Sequence, residues 1–166
     1  MAECQFEELR EEHLPEVLAI YNEYIRTSTA TFHEAPLTLD EMREIVFFPK
    51  PCYRTFLITR DGQTCGYCLL TNFKKREAYD VTAEVTIYLK PEFTGKGIGT
   101  PALRHLEALA RQNGIHSLVA VICGENTASI HLFAKNGYRE CAHYREVGKK
   151  FGRLLDIVSY QKILND

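Results

Sequence analysis

A glycine-rich loop, T-G-K-G-I-G-T at residues 94–100, has the composition of an anion-binding site. It follows an apolar, strand-like run at residues 81–89 and precedes a helix-like run at residues 101–112. A helix that begins in such a loop presents unpaired backbone N–H groups and the positive end of its dipole, and both attract phosphate. Lys96 adds a full positive charge. The loop therefore predicts a pyrophosphate site, and with it a nucleotide-containing cofactor.

The glycine spacing differs from two familiar phosphate-binding loops. A P-loop reads G-x-x-x-x-G-K-[ST], whereas Lys96 lies between glycines. A dinucleotide fingerprint reads G-x-G-x-x-G, whereas Gly95, Gly97 and Gly99 read G-x-G-x-G, which disfavours a Rossmann-type dehydrogenase. From these residues alone, a glycine-rich turn without a ligand is the alternative.

Length and charge limit the classes of function. The 166 residues suffice for one domain with a sizeable core, so we expect a single domain over residues 1–166. A net charge of −2 and an isoelectric point near 6.3 give no general attraction to nucleic acid or to an anionic membrane. No apolar run approaches the roughly twenty residues that span a bilayer, and the first residues do not resemble a signal peptide. We therefore expect a cytoplasmic protein without nucleic-acid or membrane partners.

The cysteines do not predict a metal or redox site. Of six cysteines, only Cys65 and Cys68 form a C-x-x-C pair, and the pair lies in a strand-like run rather than at a helix N-terminus. Residues three apart on a strand face opposite sides of the sheet, and a zinc site would need a second pair. We interpret all six as ordinary thiols and predict no metal.

The first half of the chain predicts a strand, two helices and a hairpin. Apolar residues recur at helical spacing over residues 14–25 and again over 39–48, after a strand at 5–10. Asp61-Gly62 is a hairpin signal between strand-like runs at 53–59 and 64–72.

The second half predicts a βαβ unit and a final pair of strands. The strand at 81–89, the glycine loop, its helix and the buried run Ser117–Cys123 imply two parallel strands. Asn126 caps a further helix that ends at Asn136-Gly137. Strands are expected at 138–147 and 154–162, joined by a short basic loop, G-K-K-F-G-R. The fold class is mixed α/β.

Two motifs placed in this order resemble the GNAT superfamily of acyl-CoA-dependent N-acetyltransferases. The glycine loop resembles its Q/R-x-x-G-x-G/A motif, and A-S-I-H-L-F-A-K-N-G-Y at 128–138, headed by Asn126, resembles its later helix. Four segments resemble the phosphinothricin acetyltransferase group in particular, and they are I-Y-N-E-Y-I-R-T-S-T-A-T-F (20–32), A-Y-D-V-T-A-E-V-T-I-Y-L (78–89), S-L-V-A-V-I (117–122) and K-F-G-R-L-L-D (150–156).

The resemblance covers nearly the whole chain and implies the GNAT fold. This fold has one mixed, mostly antiparallel central sheet, helices on both faces, and a splayed parallel strand pair that binds acetyl-CoA. It implies that the backbone of Ile87, Tyr88 and Leu89 bonds the pantetheine amides like an added strand, while Asn126 reaches the pantetheine from the far side. The pyrophosphate would lie on the N–H groups of Gly95, Lys96, Gly97, Ile98, Gly99 and Thr100.

One departure from the motif weakens the expected cofactor affinity. Thr94 stands where the superfamily frequently has Arg or Gln, so one long donor is lost while the backbone N–H groups remain. Enzymes of the group are commonly dimers, which implies a homodimer.

Glu84 is the candidate catalytic base. A carboxylate in the middle of V-T-A-E-V-T-I-Y is unfavourable unless its face lines a cleft, and the group's base corresponds to Glu84. The general acid stays unassigned, because Phe133 occupies the usual Tyr or His position. His131 is interpreted as structural, and the thiolate takes its proton from water or with help from Tyr88 or Tyr138.

The candidate substrate-binding residues are Arg76, Tyr79 and Phe32. A guanidinium at Arg76, with Tyr79, would hold a substrate carboxylate, and Phe32 with Thr31 would form the opposite wall. Their alternative is a solvated basic loop and a packed aromatic ring.

The leading interpretation is acetylation of the amino group of a small amino-acid-like compound, such as phosphinothricin, methionine sulfoximine or methionine sulfone. A polyamine or a protein N-terminus is the alternative acceptor within the same fold. An acyl-CoA-binding module or sensor without transfer activity is the alternative of another class.

Overall fold

The computed structural model describes residues 2–165, and within them the backbone forms seven β-strands and four α-helices. The ends of the expected domain, residues 1 and 166, lie outside this range. The strands are β1 (Gln5–Glu8), β2 (Arg54–Arg60), β3 (Gln63–Asn72), β4 (Thr82–Leu89), β5 (Ser117–Cys123), β6 (Arg139–Lys150) and β7 (Arg153–Ile163). The helices are α1 (Leu14–Thr27), α2 (Leu39–Val46), α3 (Gly99–Gln112) and α4 (Thr127–Lys135).

All seven strands join one twisted sheet in the order β1-β2-β3-β4-β5-β7-β6. Every neighbouring pair is antiparallel except β4 and β5, which are parallel because α3 carries the chain from one end of the sheet back to the other. The predicted mixed, mostly antiparallel sheet with one parallel pair is confirmed.

Helices cover both faces of this sheet, as predicted. On one face α3 and α4 pack over alternate strand residues, and this core includes Ile58, Leu103, Leu106, Leu118 and Phe133. On the other face α1 and α2 pack over the intervening strand residues, and this core includes Val17, Ile25, Met42, Leu57 and Leu69. We call these the α3 face and the α1 face. No helix within residues 2–165 is long and apolar enough to cross a membrane.

Local sequence chemistry explains where several elements begin and turn. Asp61 and Gly62 have φ of 54° and 76°, the left-handed values that a two-residue hairpin turn requires. The Oγ1 atom of Thr38 accepts a hydrogen bond from the Glu41 N–H at 3.2 Å and caps α2. The Oδ1 atom of Asn126 accepts from the Ser129 N–H at 3.2 Å, which confirms Asn126 as the cap of α4.

The prediction of a basic loop at 148–153 is wrong. Residues 148–150 belong to β6 and pair with β7 up to Lys150 and Arg153, and only Phe151 and Gly152 turn the chain. The reason is a bulge at 145–147, where three residues of β6 stand opposite Asp156. The Asp156 carboxylate accepts from the Glu146 N–H at 2.8 Å and lies 2.8 Å from His143 Nε2, so strand pairing resumes beyond the bulge.

The prediction that Cys65 and Cys68 face opposite sides of the sheet is also wrong. Thr59 pairs with Thr64 and Ile58 with Gly66, so Cys65 is an extra residue that forms a bulge in β3. The bulge shifts the alternation by one residue. Both thiols are therefore buried in the core of the α3 face, and both are free.

Candidate active site

The parallel strands β4 and β5 separate soon after they meet. Their pairing covers only Thr82 with Ser117, Ala83 with Leu118 and Glu84 with Val119. Beyond this point β4 stays bonded to β3, and β5 stays bonded to β7, so the two strands are drawn apart. The opening is a cleft of about 940 Å³, which we call the first cavity.

The glycine loop lies at one end of the first cavity, where α3 begins. Gly95 and Gly97 adopt φ of 70° and 77°, which turn successive N–H groups toward one side. The N–H groups of residues 95–100 donate to no acceptor within residues 2–165. These donors and the positive end of α3 form a site for a doubly charged phosphate group.

Close packing holds the glycine loop in place. A Cβ atom on Gly99 would lie 2.8 Å from a methyl group of Leu132 on α4, so any larger residue at this position would force the Leu132 side chain to move. Ile98 is buried and anchors the loop in the core. The Thr94 hydroxyl donates to the Pro91 carbonyl at 2.8 Å, and therefore its proton is already used. The Lys96 ammonium is exposed and lies 5.7 Å from the centre of the Phe93 ring.

The backbone groups of β4 alternate between its two neighbours. The Lys90 N–H donates to the Cys65 carbonyl on the β3 side, and the Val81 carbonyl accepts from the His116 N–H on the β5 side, both at 2.8 Å. Because the strand has a period of two, the backbone of Ile87 and Leu89 faces the open cleft. The backbone of Tyr88 faces β3 by the same alternation.

Two further side chains border this edge. The Leu89 carbonyl accepts a hydrogen bond from the Tyr24 hydroxyl, which leaves the Leu89 N–H for a ligand. Asn126 lines the first cavity from the β5 side, and its cap bond uses only Oδ1.

Glu84 lies at the point where two cavities meet. A second cavity of about 420 Å³ opens on the α1 face, and Glu84, Thr86 and Tyr88 line both cavities. The Glu84 side chain is half-buried and has no hydrogen-bond partner within residues 2–165. Burial raises its pKa above the ordinary glutamate value, although the charge of Lys74 acts in the opposite direction. A carboxylate of this kind is a stronger base than an exposed glutamate.

Tyr88 is the centre of an aromatic cluster beside Glu84. Its ring centre lies 5.5 Å from that of Tyr21, 5.2 Å from that of Tyr24 and 5.6 Å from that of Tyr67. Its hydroxyl donates to the Ala30 carbonyl at 3.3 Å. Burial, with the neighbouring Tyr21, raises its pKa well above the ordinary range, so the hydroxyl stays protonated.

Among the residues considered for proton transfer to the thiolate, Tyr88 and His131 line a cavity and Tyr138 does not. Phe133 is buried and packs edge-on against Tyr138, whose hydroxyl is sealed in the core without a partner. Burial also raises the Tyr138 pKa. His131 is exposed on α4 and lines the first cavity.

The predicted substrate-binding residues lie outside both cavities. Arg76 and Tyr79 are exposed on the connection between β3 and β4, and the Tyr79 ring packs against Phe73 at 6.0 Å. Phe32 is half-buried and its ring packs closely against β6 at Gly148. The contact is so close that a Cβ on Gly148 would lie 2.2 Å from the ring.

Residues 120–123 of β5 line the first cavity, in the splay between the strands where the resemblance places acetyl-CoA. Residues 28–30, the segment after α1, also line it and were not among the candidate site residues. Thr86 could have been predicted from the sequence, since strand alternation places it between Glu84 and Tyr88 on the same face of β4. The small polar residues around Phe32 suit a binding lip as well as a plain connection, so the sequence alone did not single out residues 28–30, whose position depends on contacts with the far end of the chain.

Similarity to known proteins identifies the family to which this chain belongs. The sequence model of the acetyltransferase (GNAT) family matches residues 17–138. The chain belongs to this family. It is therefore an N-acetyltransferase that uses acetyl-CoA, and its loop donors and open strand edge fit that co-substrate. Within residues 2–165 no three His, Cys, Asp or Glu side chains are grouped as metal ligands, and the prediction of no metal stays a prediction.

Three similar proteins illustrate the family. The phosphinothricin N-acetyltransferase of Alcaligenes faecalis is 35% identical over 98% of this acetyltransferase and 83% of its own length. The L-methionine sulfoximine/L-methionine sulfone acetyltransferase of Pseudomonas aeruginosa is 33% identical over 89% of this chain and 87% of its own. A phosphinothricin acetyltransferase from Sinorhizobium meliloti, solved in complex with acetyl-CoA, is 29% identical with a TM-score of 0.91, covering 97% of this chain and 88% of that one.

Proposed function

We propose that this enzyme transfers the acetyl group of acetyl-CoA to the amino group of a small amino-acid-like compound. The observation that carries the proposal is Glu84, an unpartnered, half-buried carboxylate at the junction of the two cavities. The substrates named for the Alcaligenes and Pseudomonas relatives, phosphinothricin and the methionine sulfoximine and sulfone, define the substrate class to test first.

The cofactor would enter from the α3 face. Its pyrophosphate would accept hydrogen bonds from the backbone N–H groups of the glycine loop, with Lys96 adding charge from outside. Its pantetheine amides would pair with the cleft-facing backbone of Ile87 and Leu89, while Asn126 would donate through its side-chain amide. The alternation of β4 assigns the backbone of Tyr88 to β3, so we propose that Tyr88 contributes its side chain instead.

The amine would enter from the α1 face and meet the thioester beside Glu84. An ammonium whose pKa lies about two units above the ambient pH loses roughly 2.7 kcal/mol to deprotonation before it can attack. Glu84 accepts this proton, directly or through a water. Its raised pKa makes it a stronger base than an exposed glutamate, which suits the task.

The thiolate that leaves would be protonated by water or by Tyr88. The Tyr88 hydroxyl is protonated and lines both cavities, whereas the Tyr138 hydroxyl is sealed in the core. We therefore favour Tyr88 over Tyr138 as the assisting acid.

Arg76, Tyr79 and Phe32 remain proposals as substrate-binding residues. Lys74 belongs to the same basic connection as Arg76, and its charge lowers the pKa of Glu84. A carboxylate of the substrate would therefore meet positive potential from this connection.

The homodimer and the cytoplasmic location also remain predictions. Support for a dimer comes from exposed apolar side chains near the β6–β7 turn, on the edge strand β6 and its partner: Tyr144, Val147, Phe151 and Leu154. A second copy would cover this surface.

The test is a screen of amines with acetyl-CoA, following release of the free thiol. The panel contains phosphinothricin, methionine sulfoximine, methionine sulfone, a polyamine and a short peptide with a free N-terminus. We expect thiol release that requires both acetyl-CoA and one of the first three compounds. Acetyl-CoA binding by calorimetry without turnover on any amine would contradict the proposal and favour a sensor.

A further inference from the structure

The turn between β6 and β7 supports the segment that follows α1. We call residues 148–153 the hairpin tip and residues 28–32 the wall segment. Ser28, Thr29 and Ala30 of the wall segment line the first cavity beside Tyr88. The Tyr88 ring packs against Tyr21 and Tyr24 of α1, and its hydroxyl bonds to Ala30, so the wall segment borders the first cavity on the side of α1.

The ammonium of Lys150 binds the wall segment directly. It donates to the Ser28 carbonyl at 2.7 Å and to the Thr31 carbonyl at 2.8 Å, and it lies 5.1 Å from the centre of the Phe151 ring. Lys150 is only 2% exposed, and no carboxylate within residues 2–165 forms an ion pair with it. Burying an unpaired ammonium is costly. Its hydrogen bonds fix the carbonyls on either side of Thr29 and Ala30.

Two further contacts of the hairpin tip act on the same segment. Arg153 binds both oxygens of Glu125 at 2.9 and 3.0 Å, and Glu125 accepts a hydrogen bond from the Thr29 hydroxyl at 2.6 Å. The Phe32 ring rests on the backbone at Gly148, where a side chain would collide with it. The hairpin tip therefore contacts the wall segment at both ends and in the middle.

The wall segment in turn fixes Tyr88. The Ala30 carbonyl accepts a hydrogen bond from the Tyr88 hydroxyl. Ala30 lies between Ser28 and Thr31, whose carbonyls bind Lys150. A change in the wall segment would therefore move Tyr88, whose side chain lines both cavities and so borders the second one, where the amine would enter. Both side-chain hydrogen bonds of Lys150 go to the wall segment, and none within residues 2–165 goes to the glycine loop.

We propose that Lys150 is a positioning residue for the acceptor side of the active site, acting through the carbonyls of Ser28 and Thr31. The inference rests on the proposed function and names a residue that serves the amine rather than the cofactor. Lys150 touches neither cavity, so its effect on the reaction is transmitted by the wall segment.

The test compares Lys150→Met with Lys149→Met. Methionine preserves the length and bulk of lysine, and Lys149 is the exposed neighbour on the same strand, so both variants remove one positive charge. For Lys150→Met we expect the KM of the amine to rise, or kcat to fall, by about tenfold or more, because small displacements at a reacting centre are costly. The Kd of acetyl-CoA, measured by calorimetry, should change less than about twofold, as should every constant of Lys149→Met. Amide hydrogen exchange over residues 29–33 should speed up only in Lys150→Met.

Three results overturn the inference. They are amine kinetics of Lys150→Met equal to those of Lys149→Met, an equal loss of acetyl-CoA affinity, and unchanged exchange over 29–33. If Lys150→Met does not fold, Arg153→Met decides in its place, because Arg153 is exposed and its loss releases Glu125 and Thr29. A wild-type enzyme that acetylates no amine contradicts the proposed function, whereas an active wild type with an unaffected Lys150→Met contradicts only this inference.

Discussion

Glu84 is a carboxylate that the fold half-buries without giving it a partner. Buried carboxylates are ordinarily paired or hydrogen-bonded, because an unpaired charge loses hydration. Here burial raises the pKa of Glu84, which destabilises the charged form and makes it a better proton acceptor. Burial of Glu84 therefore lowers the stability of the fold and raises the basicity of the carboxylate, and both effects can be measured.

Glu84→Gln removes the base and keeps the shape of the side chain. We expect kcat/KM for the amine to fall by about 10² to 10⁴ near neutral pH. In the wild type kcat/KM should fall as the pH drops through the raised pKa of Glu84, and this acidic limb should disappear in the variant. Glu140→Gln is the control, because Glu140 is exposed on the edge strand β6 and lines neither cavity. Full kcat/KM at every pH in Glu84→Gln would exclude Glu84 as the base.

The same substitution should stabilise the enzyme at higher pH. The pKa of Glu84 is raised in the folded state. At low pH the carboxyl is protonated in the folded and the unfolded state, so it leaves the free energy of unfolding unchanged. As the pH rises through the raised pKa, the buried charge lowers the free energy of unfolding. We expect the Tm of Glu84→Gln to exceed that of the wild type at pH 8 and to equal it at pH 4. Thermal unfolding across pH checks this, and a lower Tm at pH 8 would contradict it.

Tyr88→Phe and Tyr138→Phe remove one hydroxyl each. Tyr88 is half-buried and lines both cavities, whereas the Tyr138 hydroxyl is buried in the core and lines neither. We expect Tyr88→Phe to lower kcat by roughly tenfold or more with little change in acetyl-CoA affinity, whereas Tyr138→Phe keeps full activity. Equal kcat values for the two variants would leave water as the proton source.

At the scale of elements, the glycine loop and the hairpin tip differ in how backbone groups find hydrogen-bond partners. The loop leaves backbone N–H donors unpaired, so that a ligand can accept hydrogen bonds from them. The hairpin tip brings a buried ammonium to carbonyls that would otherwise be unpaired. Both depend on residues with positive φ, namely Gly95 and Gly97 in the loop and Phe151 and Gly152 in the tip.

Gly97→Ala tests the loop, with Gly114→Ala at the other end of α3 as its matched control. Both glycines have positive φ, 77° and 71°, and open space around them, so alanine should cost about 1–2 kcal/mol of strain at each. We expect similar losses of stability in the two variants. Acetyl-CoA affinity, measured by calorimetry, should fall clearly only in Gly97→Ala, because relief of strain turns the loop N–H groups away.

Undiminished acetyl-CoA affinity in Gly97→Ala would contradict the assignment of the pyrophosphate to this loop. An equal fall in Gly114→Ala would show that general destabilisation, rather than loop geometry, controls binding.

At the scale of the whole molecule, a buried ion pair joins the last strand to the helices of the α3 face. Lys162 on β7 donates to both oxygens of Glu107 on α3, at 2.9 and 3.1 Å, and to the Asn136 carbonyl after α4 at 3.0 Å. Glu107 is only 5% exposed. Residues that lie far apart in sequence thus meet at one ion pair.

Glu107→Gln should destabilise the fold by about 2–4 kcal/mol, since it leaves the Lys162 ammonium without its counter-charge. The control is Glu16→Gln, which breaks the more exposed pair of Glu16 and Lys90 and should cost less than about 1 kcal/mol. Denaturant unfolding measures both. Equal costs would show that the buried pair has no special role in holding β7 to α3.

The sequence by itself determined those features that depend on a few consecutive residues. The Asp61-Gly62 turn, the Asn126 cap and the order of strand, glycine loop and helix follow from backbone preferences that act over three to five positions. The alternation along β4 placed Glu84 and Tyr88 on one face. The resemblance of nearly the whole chain to a known group then identified the family.

Only the tertiary structure decided how distant segments share the site. The bulge at Cys65 shifts the strand alternation by one residue, and the bulge at 145–147 changes the register of β6 on β7 by two residues, and both depend on contacts with partner strands that no local pattern specifies. The second cavity exists because α2 and β3 meet beside β4. The sequence predicted Lys150 to be a loop residue. In the structure it is buried, because the β6–β7 turn packs against the segment after α1 and Lys150 donates to two of its carbonyls. Such burial is a property of the packed fold, since a charge is buried only where several segments supply its hydrogen bonds at once.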